Sequence, residues 1–259
     1  MAPMPPQHSL EGRRALVTGA SRGIGRAVAA ALAEAGADVG IVGRDAEGLE
    51  VTRELVEKLG RACLVIEEDL SAAGGPRAAG EAALHHGSWE IVVNNAGIAS
   101  SAPLLEVDLG TWDAIHALNL RAVVALCQVM VPPMLERARG KVINVSSAGA
   151  FLGTPGLGAY AASKAALNQL TRTMAVEWGP HGVQANAVCP TVVLTEMGRS
   201  IWDDPARAED RRAKEQRIPV HHFGVPSDVA GAVTFLASPA SDYINGVALP
   251  IDGGMLVAP

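Results

Sequence analysis

The chain has 259 residues, 49% of them apolar and 19% charged, with a formal net charge of −6. That is enough to bury one full core, and without any long basic run it argues against a nucleic-acid surface. The start, Met1–Leu10, has neither a cationic nor an apolar region, so no signal peptide is expected, and the longest apolar stretch, Ala122–Leu135, is broken by Gln128 and Pro132-Pro133 and is too short to span a bilayer. Three scattered cysteines, Cys63, Cys127 and Cys189, suit a reducing, cytoplasmic setting without disulfides.

Strand-like and helix-like segments alternate along the chain, which predicts a Rossmann-type α/β fold: a doubly wound parallel sheet of seven strands with helices on both faces. After an N-terminal extension (1–12), residues 13–259 read as one domain. The first strand is Ala15–Val17, then a Gly-rich turn and a helix from Ile24 to Ala35, stopped at Gly36. Asp38–Val42 is a strand, Ala46–Leu59 a helix ended by Gly60, Ala62–Ile66 a third strand and Ile91–Val93 a fourth. One helix capped by Asp108 and another over Leu120–Arg137 follow. Lys141–Val145 is the fifth strand, Ala159–Trp178 a long helix, Val183–Val188 the sixth strand and Gly246–Pro250 the seventh. The charged stretch 195–226 has no strand signal and reads as a substrate lid or a plain surface excursion.

Between the first strand and first helix stands Thr18-Gly19-Ala20-Ser21-Arg22-Gly23-Ile24-Gly25. Gly19 permits a sharp exit, Gly23 a close backbone approach, and Gly25 helix-on-strand packing. The free N–H groups there suit a pyrophosphate. The bland alternative is an ordinary Gly-rich connection. In dinucleotide folds an acid at the end of strand two grips the ribose 2′-hydroxyl, but here that strand ends Val42-Gly43-Arg44. Arg44 with Arg22 can hold a 2′-phosphate by charge-assisted bonds, so NADP(H) is preferred and NAD(H) remains open, with Asp45 as the residue that would take the hydroxyl.

Tyr160 and Lys164 are four apart and so share a helix face. An ammonium beside the phenol, with the positive oxidised nicotinamide, favours phenolate and is expected to lower its pKa. Ser147 follows strand five, where ligand crevices form. Its hydroxyl is placed to hold a substrate oxygen while Tyr160 donates a proton as hydride arrives.

With these pieces in order, the sequence resembles the short-chain dehydrogenase/reductase family from about Arg13 to Gly254. The matching residues are Thr18–Gly25, Asp69-Leu70, Asn94-Asn95-Ala96-Gly97, Asn119, Ser146-Ser147, Tyr160 to Lys164 and Asp252-Gly253-Gly254, with thirteen residues from Ser147 to Tyr160. The resemblance implies that Asn119 holds a water linking Lys164 to a proton relay, and that Tyr160 and Lys164 bond the nicotinamide ribose. It implies that Asp69 and Leu70 meet the adenine and that Asn95–Gly97 line the cofactor. Capping remains the alternative for Asp69, and capping or kinking for Asn119. It also implies a cofactor contact at Pro190, the Val193 backbone on the carboxamide, Thr195 on the nicotinamide or the phosphate side, and a homotetramer, for which the helix 120–137 and the helix carrying Tyr160 have apolar surface to spare.

The family's Pro-Gly after strand six is Pro190-Thr191 here, which puts the contacts at Thr191 in doubt. The string from Pro190 to Gly198, with Trp202 and Asp204-Pro205, is similar to the L-xylulose reductase and polyol dehydrogenase branch, and implies a small ketose, polyol or dicarbonyl substrate. Ser147, Gly149 and Trp202 are the candidate substrate residues, Trp202 as lid anchor or as apolar plug. A 3-oxoacyl thioester reductase and a non-catalytic dinucleotide sensor remain alternatives. The pairs His85-His86 and His221-His222 lack a partner at ligand spacing, so no metal site is expected.

Overall fold

A computed structural model of the chain describes residues 7–258. The first six residues of the expected extension lie outside them. Seven strands form one parallel sheet in the order β3-β2-β1-β4-β5-β6-β7: β1 (Arg14–Thr18), β2 (Asp38–Gly43), β3 (Cys63–Glu67), β4 (Ile91–Asn94), β5 (Gly140–Val145), β6 (Val183–Pro190) and β7 (Ala248–Ile251). The order reverses between β1 and β4, which opens a crevice beyond their carboxyl ends.

The central strands are buried on both faces and read as continuous Val/Ile runs for that reason. On one face lie α1 (Gly23–Glu34), α2 (Ala46–Lys58) and the late helix Pro226–Ala237, packed through Val28, Leu32, Leu49, Val56, Val233 and Leu236. On the other lie Gly75–His85, which is α3, then α4 (Leu109–His116) and α5 (Ala122–Met130), with α6 (Pro132–Glu136) and α7 (Gly158–Trp178). Their core includes Trp89, Leu126, Met130, Met134 and Leu167. Asn144 on β5 accepts from Asn94 on β4 (2.8 Å) and donates to Thr171 on α7 (2.9 Å), so a buried polar chain fixes α7 over the strands.

Two helices outside the 195–226 stretch were not among the sequence expectations. α3 (GPRAAGEAALH) carries Gly80, which reads as a breaker. In the fold Gly80 is where α3 meets α5: a Cβ there would lie 2.9 Å from Val129 Cβ. The helix Pro226–Ala237 is opened by Pro226, with Asp228 accepting from Val225 N (2.7 Å). The expected helix capped by Asp108 and the one expected from Leu120 are one continuous rod, α4 and α5 joined by a π turn, Ala117–Arg121, and the rod ends at Met130, before Pro132 opens α6. Leu109–Met130 is thus long and apolar enough to cross a membrane by length and composition. It packs against α3 and α7, and its wholly buried, hydrogen-bonded Asn119 fits a core helix. Residues 7–12 belong to the packed unit: Leu10 is buried and its N–H meets Ala35 O at 2.8 Å.

Segment 195–226 folds as α8 (Glu196–Trp202), a 3-10 turn and α9 (Ala208–Gln216), and returns at Gly224, which bridges to Val193. The late helix is α10.

Candidate active site

Gly19 and Gly23 both take positive φ (+63° and +58°), which glycine adopts without strain. A Cβ on Gly19 would sit 2.9 Å from Ala96 Cα, and one on Gly25 would collide with the Gly19 carbonyl. The turn is bound to the end of β4 through Thr18, whose Oγ1 accepts from Asn95 N (3.0 Å) and Ala96 N (3.1 Å). Asn95 Nδ2 donates back to Thr18 O (2.9 Å) and Gly19 O (3.1 Å).

Over this joint opens a cleft of about 540 Å³. Its walls include the expected Gly19, Ser21, Arg22, Gly23, Ile24, Gly25, Arg44, Asp69, Leu70, Asn95, Ala96, Gly97 and Thr195. Sequence reasoning missed Gly43, Glu68, Ser71, Ile98, Ala114, Leu118 and Glu196. Most of these adjoin a motif and are found by extending it one or two residues. Ala114 and Leu118 have no such signal, because their part depends on where α4 crosses the crevice. The residues fit a dinucleotide: a glycine cradle that any Cβ would fill, at the start of a helix, with cations at the strand-two end.

Arg22 and Arg44 are both exposed on the cleft rim, Arg44 with its guanidinium 3.7 Å from Asp69 Oδ2. The N-cap of α3 is Gly74, while Asp69 closes its own turn and lines the cleft. Its Oδ1 accepts from Ser71 N (2.9 Å) and Oγ (2.7 Å), and these bonds, helped by Arg44, hold its carboxyl below the usual range. Asp45 accepts from Gly48 N (3.0 Å) as the N-cap of α2 and is not part of the cleft wall.

Farther along the crevice, Ser147 leaves β5 in an extended conformation, and its Oγ accepts from Gly149 N (3.0 Å). Tyr160 and Lys164 lie one turn apart on α7, with Nζ 5.7 Å from the phenol ring centroid. Nζ donates to Val145 O at 2.8 Å, and the Lys164 carbonyl accepts from Ser146 Oγ at 3.1 Å. A Cβ on Gly97 would lie 3.5 Å from that Nζ, so the lysine borders the cofactor cleft. Asn119 sits in the π turn, a local widening of the helix, with its side chain fully engaged: Oδ1 accepts from Ile98 N (2.9 Å), and Nδ2 donates to Ile98 O (2.9 Å) and Ser163 Oγ (3.1 Å). It clamps the Gly97–Ile98 loop and makes no direct bond to Lys164.

The expected lowering of the Tyr160 pKa is not what this geometry gives. Burial pushes the phenol up, a hydrogen bond from Ser147 opposes this, and Cys189 nearby adds to it. Burial also lowers Lys164 to about 8, which weakens the cation that was to favour phenolate.

Pro190 and Val193 lie at and just past the end of β6, outside the cleft wall. Thr191 turns its hydroxyl to Met255 Sδ (3.3 Å), so the substitution for glycine is absorbed by the C-terminal segment. Trp202 packs on Phe223 (5.3 Å between centroids) with Lys214 Nζ 4.6 Å over its ring, beside Leu194 and Ile218. It is the plug of a small core inside the 195–226 excursion. Among the described residues no three potential ligands cluster as a metal site.

A dinucleotide cleft bordered at Gly97 by the lysine of a Ser147–Tyr160–Lys164 set, which lies outside the cleft wall itself, defines an oxidoreductase that exchanges hydride with a CH–OH or C=O carbon. A family model described as enoyl-(acyl carrier protein) reductase matches residues 19–256. The chain is 40% identical over 257 residues to D-threitol dehydrogenase of Mycolicibacterium smegmatis, covering 96% of this chain and 94% of that one. It is 39% identical to L-xylulose reductase of Bos taurus over 248 residues, 95% and 98% of the two chains. It resembles the solved structure of a gluconate 5-dehydrogenase from Burkholderia cenocepacia in complex with NADP and tartrate, with TM-score 0.91 and 37% identity over 98% of each chain. The chain belongs to the short-chain dehydrogenase/reductase family.

A lysine lowered by burial is uncharged in the folded state at a pH where the unfolded chain still carries the proton. Stability from this group therefore rises with pH between about 8 and the unfolded value near 10.5. Lys164→Met removes that term. Its unfolding free energy relative to the parent should fall by about 1–3 kcal/mol from pH ~7 to pH ~10.5 in urea titrations. A difference that stays flat with pH would mean the lysine titrates normally.

Proposed function

We propose that this chain is a cytoplasmic, NADP(H)-dependent reductase, reversible in direction, acting on a small uncharged ketose, polyol or dicarbonyl. The observation that carries the reading is the Ser147–Tyr160–Lys164 set beside a cleft whose 2′ end presents Arg22 and Arg44 while Asp45 is spent on a helix cap. When bound, the nicotinamide supplies or accepts the hydride. Ser147 holds the carbonyl oxygen, and Tyr160, kept protonated by its burial, gives that oxygen its proton. Lys164 orients the phenol and holds the ribose. Asn119, in the π turn, fixes the loop beneath them. Pro190 and Val193 serve the nicotinamide end, Thr195 stands beside Gly23 of the phosphate turn, and residues 195–226 close the substrate side.

The substrate's lack of charge is supported by what borders the site. Residues 91–105, 142–163 and 183–195 contain no Asp, Glu, Lys or Arg. The first two stretches meet where Ala102 N donates to Gly156 O at 2.9 Å. A carboxylate brought against these three stretches would lose its water without gaining a cation from them. Xylulose and threitol, named in two relatives, are neutral; gluconate, named in a third, is not. The family description favours an acyl thioester as the second reading.

Cofactor oxidation followed by nicotinamide absorbance, with NADPH and NADH separately, decides among these. Xylulose, other neutral ketoses and diacetyl should be reduced with NADPH at least tenfold more efficiently than 5-ketogluconate or acetoacetyl thioester. NADH preference would reject the arginine reading, and preference for an acid or the thioester would reject the substrate class. Tyr160→Phe should bind NADPH as the parent does, by fluorescence, while turnover falls about 10²- to 10⁴-fold. Unchanged turnover would remove Tyr160 from the chemistry.

A homotetramer is supported by apolar side chains left uncovered around the α4–α5 rod and α7: Leu104, Leu105 and Leu109 are 66%, 100% and 73% exposed, and Val176 is 76% exposed. Sedimentation should give four times the 26.7 kDa chain mass; a monomer would overturn this.

A further inference from the structure

Arg26 stands in the first turn of α1, where the helix dipole disfavours a cation and where no acid accompanies it. Its side chain does not line the cleft. It turns behind the phosphate turn, toward α2, and spends its guanidinium on four partners. Nε donates to Thr52 Oγ1 (3.2 Å), Nη2 to Ser21 O and Gly48 O (3.4 Å), and Nη1 to Glu196 Oε1 (3.2 Å). Thr52, wholly buried, in turn donates to Ala20 O (2.8 Å).

The consequence follows from the planarity of the peptide. In a trans peptide the N–H points opposite the C=O. Holding the carbonyls of Ala20 and Ser21 toward α2 turns the N–H groups of Ser21 and Arg22 away from it, and both residues line the cleft. The same guanidinium grips the first turn of α2, just after Arg44, where a Cβ on Gly48 would already touch Ser21 O at 2.8 Å. Its fourth bond reaches the first residue of α8. Beside that bond the Thr195 methyl lies 3.2 Å from where a Cβ on Gly23 would be. The phosphate turn, the strand-two end and the start of the 195–226 excursion thus meet at one side chain.

We propose that Arg26 is a positioning residue that latches the start of α8, through Glu196, onto the cofactor's phosphate turn, so that release of the dinucleotide requires breaking the Arg26–Glu196 pair. The proposal rests on the dinucleotide reading of the cleft. It assigns Arg26 two separable tasks: the bonds to Ser21, Gly48 and Thr52 shape the cradle, and the bond to Glu196 sets how long the cradle stays covered. Only a guanidinium has enough donors in fixed geometry for both, so lysine is not an equivalent.

The test measures NADPH dissociation by stopped-flow loss of bound-cofactor fluorescence, without turnover, in the parent, Glu196→Gln, Arg26→Gln and the double variant. Glu196 is 71% exposed, so its replacement leaves folding unaffected; melting of the cofactor-free proteins checks this. Glu196→Gln should speed release about two- to fivefold, the range of an exposed ion pair, whereas loss of a negative charge from the cleft wall alone would slow it. Arg26→Gln should speed release further and also weaken association, because the cradle loosens. In the Arg26→Gln background Glu196→Gln should have no further effect. Independent, multiplicative effects of the two changes, or an unchanged release rate in Glu196→Gln, would overturn the latch. A parent that shows no NADPH binding at all would instead overturn the dinucleotide reading on which it rests.

Discussion

The site depends on one close approach. The glycine turn after β1 and the loop after β4 must come within van der Waals contact at the point where the strand order reverses. Thr18 sets the distance by accepting two backbone N–H groups from Asn95 and Ala96 on one hydroxyl, and Asn95 answers with its amide on the carbonyls of Thr18 and Gly19. No Cβ fits at Gly19 or Gly25 once that is done. The cleft floor is therefore built from backbone groups with almost no conformational freedom, the preorganised state an anion site needs. From this joint the register of the parallel strands carries position outward: β4 pairs with β5 through Asn94 and Asn144, and β5 presents Ser147 two residues beyond its buried end. The polar chain Asn94–Asn144–Thr171 then fixes α7, and with it Tyr160 and Lys164, against the same strands.

Much of this was legible in the sequence because it rests on local chemistry. Strands buried on both faces are written as Val/Ile runs, and Gly36 and Gly60 mark helix ends with positive φ (+106° and +75°). The Gly19–Gly25 spacing, the Tyr160/Lys164 interval and the missing acid after Gly43 can each be read from a few residues. What was not legible depends on contacts between distant segments. Gly80 inside α3 and Gly231 inside α10 weaken the helix signal, and only the packing of α3 on α5 explains the first of them. The π turn at Asn119 leaves no pattern in the sequence, since its cause is the clamp on Ile98 across 21 residues. The pKa of Tyr160 could not be read either. Spacing places a lysine near it, but the sign of the shift depends on how deeply both groups are buried.

Lys164 is held at 4% exposure with its ammonium on the Val145 carbonyl and, among the described residues, no carboxylate paired with it, an arrangement that costs stability and that a methionine would not incur. Cys189 and Asn168 stand near it as neutral dipoles, their Sγ and Oδ1 3.7 Å apart. A nearby acid would neutralise the cation and return its pKa toward normal, but would also repel the phosphates and the substrate's developing alkoxide. The neutral surroundings leave the lysine's charge free to act on whatever negative charge enters the crevice, and the fold supports that cost with the network behind α7.

The substrate side is built on different terms. Leu194, Ile218, Phe223 and Trp202 form a core of their own, joined to the main sheet by the Val193–Gly224 bridge and by Gly253 and Gly254 packing under Ile218, Val220 and Pro219. Because this core shares few side chains with the two large ones, residues there can change without disturbing the dinucleotide frame. Relatives named for threitol, xylulose and gluconate have nearly the full length of this chain in common at close to 40% identity, which fits such a division. The two parts still have to act together, since a covered cofactor and an open substrate site are of no use to each other. Within the fold the joining falls to side chains that reach from frame to excursion, and Arg26 on α1, bonded both behind the phosphate turn and to Glu196, is placed to do it.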